Sequence, residues 1–250
     1  MNNCEWLARI GLAGGIDKDG SRAAELLATG FHSVEFGTVA CHGERGGHPD
    51  VLALAARLLA LAPSERGSAR IGIGIGMRAE AGPGILPADW VRGLHEGWAA
   101  ADYLSFNLSA RRYRDLLDAR YAPLLLRAFA TVVAARDERA RADGRRVAAA
   151  LKIPLGNDDS FPLTTAEAAA DAGFDAVIAV LPEGAGRIER LRLLTRRLRG
   201  KAAVVAVGGI RTAGDVVAVH KAGAQGAQVH TAYSELGARC FSTLCDASAG

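Results

Sequence analysis

Cysteine is scarce and unpatterned. The four cysteines in 250 residues, Cys4, Cys41, Cys240 and Cys245, form no CxxC pair and no metal-ligand spacing. That excludes a disulfide framework, and reduced thiols in a cytoplasmic protein are the simplest account. Aromatic residues make up only 6% of the chain, and the most basic run, Arg187–Lys201, contains none, so no base-stacking nucleic-acid surface is expected. The formal net charge is only +3, too small to argue for a polyanionic partner. No apolar run reaches the roughly 18 residues of a membrane-spanning helix, and the opening "MNNCEWLARI" lacks the basic-then-apolar pattern of a secretory signal. A linker or break in composition is also missing, which favours a single domain over residues 1–250.

What the sequence has is apolar content (50%), glycine (30 residues) and a regular alternation of two periodicities. Strands are predicted at Arg9–Gly14, Ser33–Val39, Arg70–Gly76, Asp102–Leu108, Arg146–Ile153, Ala176–Leu181, Ala203–Val207 and Ala227–Thr231. Helical patterns fill the gaps at Ser21–Thr29, Pro49–Leu61, Pro87–Ala101, Pro123–Ala142, Thr164–Ala172, Arg187–Arg199 and Thr212–Ala222, with "TTAE" at Thr164–Glu167 read as a capping box. Eight strand–helix units in series predict an α/β fold, a (β/α)8 TIM barrel, with a doubly wound open sheet as the alternative. Two strands show the parity a barrel requires. Leu104, Phe106 and Leu108 share one face and Ser105, Asn107 and Ser109 the other; Ile71, Ile73 and Ile75 oppose Gly72, Gly74 and Gly76. If the glycines point inward, they either accommodate bulky neighbours or leave room for a flat ligand.

In such a barrel the chemistry gathers at the carboxyl ends of the strands. Those ends carry Lys18, Thr38, Asn107, Ser109, Lys152, Gly208, Gly209, His230 and Thr231. Glycines after the seventh strand, with backbone N–H groups after the eighth, suit a phosphate group. Lys152 lies in an apolar strand, where burial requires an anion or acceptor to meet it; otherwise it reaches bulk water at the rim.

Taken in order, "AGGIDKDG" (Ala13–Gly20), "VEFGTV" (Val34–Val39), "FNLS" (Phe106–Ser109), "LKI" (Leu151–Ile153), "VGGI" (Val207–Ile210) and "GAQVHTA" (Gly226–Ala232) resemble the FMN-dependent dihydroorotate dehydrogenases over nearly the whole chain. The resemblance implies FMN as cofactor. Backbone at Ala13 and Gly14 would lie against the flavin ring, and Thr38, Asn107 and Lys152 would meet its polar edge. Gly208, Gly209, His230 and Thr231 would hold its phosphate. Lys152 would stabilise the negative charge that reduction brings to the ring, and Lys18 would meet a substrate carboxylate.

The resemblance fails on the side that would read a pyrimidine. The family's catalytic serine is Ala110 here, and alanine cannot accept a proton. A family asparagine is Arg112, and another, on the third strand, is Gly74. "VLPEG" (Val180–Gly184) has no amide, and "APSERGSAR" runs from the second helix into the third strand without the expected asparagine-bearing loop. The expectation is an oxidoreductase acting on a small anionic or heterocyclic molecule other than dihydroorotate. Arg112 and Lys18 would serve as cationic anchors, and Ser109, Tyr113 or water would handle the proton. Two alternatives stay open: a member without redox chemistry that serves as a binding subunit, its site occluded by an arginine, and a non-flavin phosphate-binding isomerase or lyase using Lys152.

Two further features are read as structure. In "RIERLRLLTRRLRGK" (Arg187–Lys201), Ile188, Leu191, Leu194 and Leu198 form an apolar stripe that predicts an outer helix with its arginines in solvent. "CHGERGGHPD" (Cys41–Asp50) holds Cys41, His42, Glu44 and His48 but is read as a glycine-rich loop with no metal. Neither a membrane nor a nucleic acid is expected as partner; a homodimer is the commonest closed assembly for such a chain.

Overall fold

A computed structural model describes residues 9–41, 50–78, 82–156 and 161–245. Its strands are β1 (Ile10–Leu12), β2 (Ser33–Val39), β3 (Arg70–Ile75), β4 (Tyr103–Asn107), β5 (Ala148–Pro154), β6 (Ala176–Val180), β7 (Ala203–Val207) and β8 (Gly226–Val229). They pair in sequence order, all parallel, and β8 returns to β1 with Ile10 opposite Ala227, closing a (β/α)8 TIM barrel. The helices around it are α1 (Ala23–Leu27), α2 (Val51–Ala60), α3 (Pro63–Arg66), α4 (Leu86–Gly97), α5 (Ala122–Asp143), α6 (Phe161–Ala172), α7 (Arg187–Leu198) and α8 (Ala213–Lys221). The short α9 (Thr231–Leu236) and α10 (Cys240–Cys245) follow β8. No helix among the described residues is long and apolar enough to cross a membrane.

Side-chain parity builds two cores. Ile71, Ile73, Leu104 and Phe106 face outward into a large layer shared with the helices, which includes the aromatic contacts Trp90–Phe106 and Phe106–Phe174. Ala13, Tyr103, Ala150, Ala176, Ile178, Val205 and Val207 form a smaller cluster inside the barrel. The β3 glycines are filled by neighbours rather than left open. A Cβ at Gly72 would lie 2.1 Å from the Tyr103 ring, one at Gly74 3.2 Å from Thr38 Oγ1, and one at Gly76 2.6 Å from the Tyr113 hydroxyl.

At the amino-terminal end of the barrel, buried Asp175 accepts from Arg136 Nη1 (2.7 Å), Arg146 Nη2 (2.6 Å) and the Ala149 amide (2.9 Å), tying α5 to β5 and β6. A buried ion pair fixes geometry more surely than it adds stability.

Several local expectations are corrected. "TTAE" is not a helix start: α6 begins at Phe161, so Thr164 already lies within it. A reciprocal capping box instead opens α8, where Thr212 and Asp215 exchange side-chain and backbone hydrogen bonds. "APSERGSAR" contains a helical turn, α3, and residues 111–117 form a 3-10 helix between β4 and α5. Pro49, expected to open a helix, lies outside the described residues; Asp50 caps α2 by accepting from the Ala53 amide at 2.7 Å.

Candidate active site

One cavity of about 290 Å³ opens at the carboxyl ends of the strands. Ala13 and Gly14 after β1, Thr38 of β2, Asn107 of β4 and Lys152 of β5 contribute to its wall, as do Ser109 and Ala110 just past β4. Val207–Arg211 and Gln228–Thr231 form the other side. Ten of the sequence-predicted site residues therefore meet around a single space: Ala13, Gly14, Thr38, Asn107, Ser109, Lys152, Gly208, Gly209, His230 and Thr231.

Thr38 reaches the cavity because β2 is irregular. Gly37 pairs with Gly74 and Val39 with Ile75, leaving Thr38 as an extra residue between them. Such a bulge re-aims a side chain. Asn107 is fixed on both sides: its Nδ2 donates to Thr38 Oγ1 at 2.7 Å, while its Oδ1 accepts from the Ser109 amide (2.7 Å) and hydroxyl (2.8 Å). Each partner comes from a strand end, so the amide is held before any ligand arrives.

Lys152 does not extend to bulk water. Its side chain is 8% exposed, and Nζ donates to Glu35 Oε1 at 2.9 Å. The Glu35 side chain is fully buried. Ser105 Oγ donates to Oε1 at 3.4 Å, and Tyr103 Oη (3.4 Å) and Gln228 Nε2 (3.3 Å) donate to Oε2. Gln228 Nε2 also donates to the Tyr103 hydroxyl at 3.0 Å. Burial, reinforced by the Glu35 charge, holds the Tyr103 phenol well above its ordinary value, so it remains a donor. Gln228 Oε1 is buried with no hydrogen-bond partner among the described residues.

At the opposite end, Gly208 and Gly209 adopt φ of +104° and +66°, which L side chains rarely take. Behind them, Arg187 of α7 folds back so that a Cβ on Gly209 would lie 2.0 Å from its Nη1, and its Nη2 donates to Asp215 at 2.6 Å. Arg211 lines the cavity and donates to Glu235 at 2.9 Å. His230 also lines the cavity; partial burial, then the Lys152 charge, lower its imidazole below the ordinary 6.5. The reading of α7 as a helix with all its arginines in solvent is corrected by Arg187 and by Arg190, which is buried.

Lys18 and Arg112 do not line the cavity. Lys18 is exposed on the loop after β1, where Asp17 accepts from the amides of Gly20 and Arg22 at 2.9 Å each and leaves the lysine outside the turn. Arg112 is exposed, with its guanidinium 4.8 Å from the Tyr113 ring centroid. The expected occlusion by an arginine is therefore not seen at this position. Tyr113 is not available as a base. It is buried, and its hydroxyl accepts from the Met77 amide (2.8 Å) and donates to the Met77 carbonyl (3.1 Å). Cys41 is also unsuited: burial, then the Glu96 and Asp89 charges, push its thiol up to about 12, and Sγ donates to the Asp89 carbonyl at 3.0 Å. The other residues of the metal-like loop, His42, Glu44 and His48, lie outside the described residues.

Sequence reasoning missed Glu35, Gln228, Arg187 and Asp17. Glu35 had a signal of its own, a carboxylate in an apolar strand at the inward parity of Ser33.

No family model matches the chain. Among curated relatives it is similar to the dihydroorotate dehydrogenase (quinone) of Marinomonas sp., with 27% identity over 90% of this chain and 76% of the relative. The enzyme of the same name from Methylococcus capsulatus is 28% identical over 90% and 78%. In fold, the chain superposes on a crystal structure of DHODH in complex with ferulenol from Eimeria tenella. The TM-score is 0.79 over 95% of this chain and 79% of that one, at 20% identity. The chain is dihydroorotate dehydrogenase-like.

Proposed function

We propose that this protein is an FMN-dependent oxidoreductase acting on a small anionic or heterocyclic substrate other than dihydroorotate. The observation that carries the cofactor reading is the two-ended polarity of the cavity. One end offers the Lys152 ammonium and the Asn107–Thr38 couple. The other offers the positive-φ pair Gly208–Gly209 with His230, Thr231 and Arg211. A flavin mononucleotide matches both: a ring edge with acceptors and an N–H, and a phosphate that a glycine cradle accepts. When bound, the flavin would supply hydride-accepting chemistry.

The chain's own residues do the rest. Lys152 holds a positive charge at the cavity wall on a side chain that is itself buried, where it acts more strongly than in solvent. Asn107 is pre-oriented by Thr38 and Ser109, so binding requires little reorganisation. Ser109 lies beside Ala110 and retains acceptor lone pairs while its hydroxyl donates to Asn107. Proton transfer is assigned to Ser109 or to a water it orients. The exposed Lys18 and Arg112, on loops after β1 and β4, serve as anchors for an incoming anion.

The substrate reading rests on Ala110, an apolar side chain on the cavity wall. A site built without the groups that hydrogen-bond a polar ring binds that ring poorly. The test is anaerobic mixing of the flavin-loaded protein with dihydroorotate. The flavin absorption is expected to remain oxidised; rapid bleaching overturns the substrate assignment while leaving the cofactor assignment standing.

A further inference from the structure

We propose that Glu35 is a positioning residue that sets the place and effective charge of Lys152, and thereby tunes the reduction potential of the flavin. This rests on the cofactor reading above. Glu35 does not line the cavity but lies directly behind residues that do: Lys152 meets it at 2.9 Å, and a Cβ at Gly14 would lie 2.6 Å from Glu35 Oε1. Its carboxylate is inaccessible to water and, among the described residues, meets one cation, Lys152, at 2.9 Å. Ser105, Tyr103 and Gln228 contribute only neutral donors.

Two charges buried this way depend on each other. Removing either partner leaves an uncompensated charge in a medium that solvates it poorly. The pair is also oriented, because Lys152 belongs to the cavity wall and Glu35 lies behind it. Negative charge arriving on the cavity side is attracted by Lys152 and repelled, from farther away, by Glu35. The carboxylate thus partly cancels the lysine and anchors it against the wall.

The sign follows. Replacing Glu35 by glutamine keeps the shape and removes the repulsion, so reduction becomes easier. Replacing Lys152 by methionine removes the attraction, so reduction becomes harder. In a role confined to folding, Glu35→Gln alters stability and leaves the potential alone.

The experiment compares flavin midpoint potentials of FMN-loaded wild type, Glu35→Gln, Glu35→Asp and Lys152→Met, each equilibrated with a reference dye. Glu35→Gln is expected to raise the reduced-to-oxidised ratio at fixed potential about tenfold, about 30 mV for a two-electron couple. Lys152→Met is expected to lower it by at least as much, and Glu35→Asp, which keeps the charge, to stay near wild type. A Glu35→Gln potential indistinguishable from wild type overturns the proposal. If Glu35→Gln does not fold, the reduced-minus-oxidised infrared spectrum of the wild-type holoprotein reads the same couple. A shifted buried-carboxylate band supports the assignment, and no carboxylate band overturns it. A wild-type protein that binds no FMN overturns the cofactor reading and this inference together. A flavin-loaded protein with an unmoved Glu35→Gln potential overturns this inference alone.

Discussion

Asn107 and Thr38, on strands separated by β3, are joined by a 2.7 Å hydrogen bond across the mouth of the barrel. The bond passes beside Gly74, where a Cβ would lie 3.2 Å from Thr38 Oγ1, so the amide is tied to β2 before anything binds. Asn107→Ala leaves the Ser109 amide and Thr38 hydroxyl without this partner. The expected cost is roughly 1–3 kcal/mol of stability, measured by urea unfolding, together with about tenfold weaker FMN binding. FMN affinity equal to wild type would remove Asn107 from the site.

Gly72 is required for packing. Its inward face is occupied by the Tyr103 ring, 2.1 Å from where a Cβ would stand, and Tyr103 is fully buried. Gly72→Ala overpacks the interior and is expected to cost roughly 1–3 kcal/mol in thermal or urea unfolding. An unchanged midpoint would show that the ring has room to move.

Gly208 tests the phosphate cradle. With φ at +104° and a Cβ position 3.1 Å from the Leu181 carbonyl oxygen, it tolerates no side chain without strain. Gly208→Ala is expected to destabilise by roughly 1–3 kcal/mol and to weaken FMN more than riboflavin, which lacks the phosphate. Equal losses for the two ligands would place the phosphate elsewhere.

Cys41 bears on the identity of the base. Because burial and nearby carboxylates push its thiol up to about 12, almost no thiolate is present at pH 8. Iodoacetamide at that pH is expected to alkylate the exposed Cys245 and spare Cys41 in the native protein, as read by peptide mass spectrometry. Rapid labelling of Cys41 would contradict its burial and reopen it as a reactive group.

The barrel was legible because strand and helix patterns alternate along the whole chain and two strands show inward–outward parity; the split of Leu104 and Phe106 from Ser105 and Asn107 follows from strand geometry alone. The cavity residues were legible for the same reason, as strand ends of a closed barrel converge. What escaped was partnership over distance. Lys152 announced a need for an anion, but Glu35 lies 117 residues away, and no local pattern links them. That Lys18 and Arg112 lie off the cavity wall was hidden for a different reason. Their positions depend on the Asp17-centred turn and on the 3-10 helix at residues 111–117, conformations that hydrophobic periodicity does not encode. The β3 glycines admitted two readings until Tyr103, Thr38 and Tyr113 were seen to fill the space.

The central claim is that the cavity holds a flavin, and the visible absorption spectrum of the purified protein, before and after denaturation, tests it most directly. The account predicts a yellow protein with flavin bands that releases FMN on denaturation, or a colourless one that acquires those bands stoichiometrically when FMN is added. A colourless protein that takes up no FMN would contradict it.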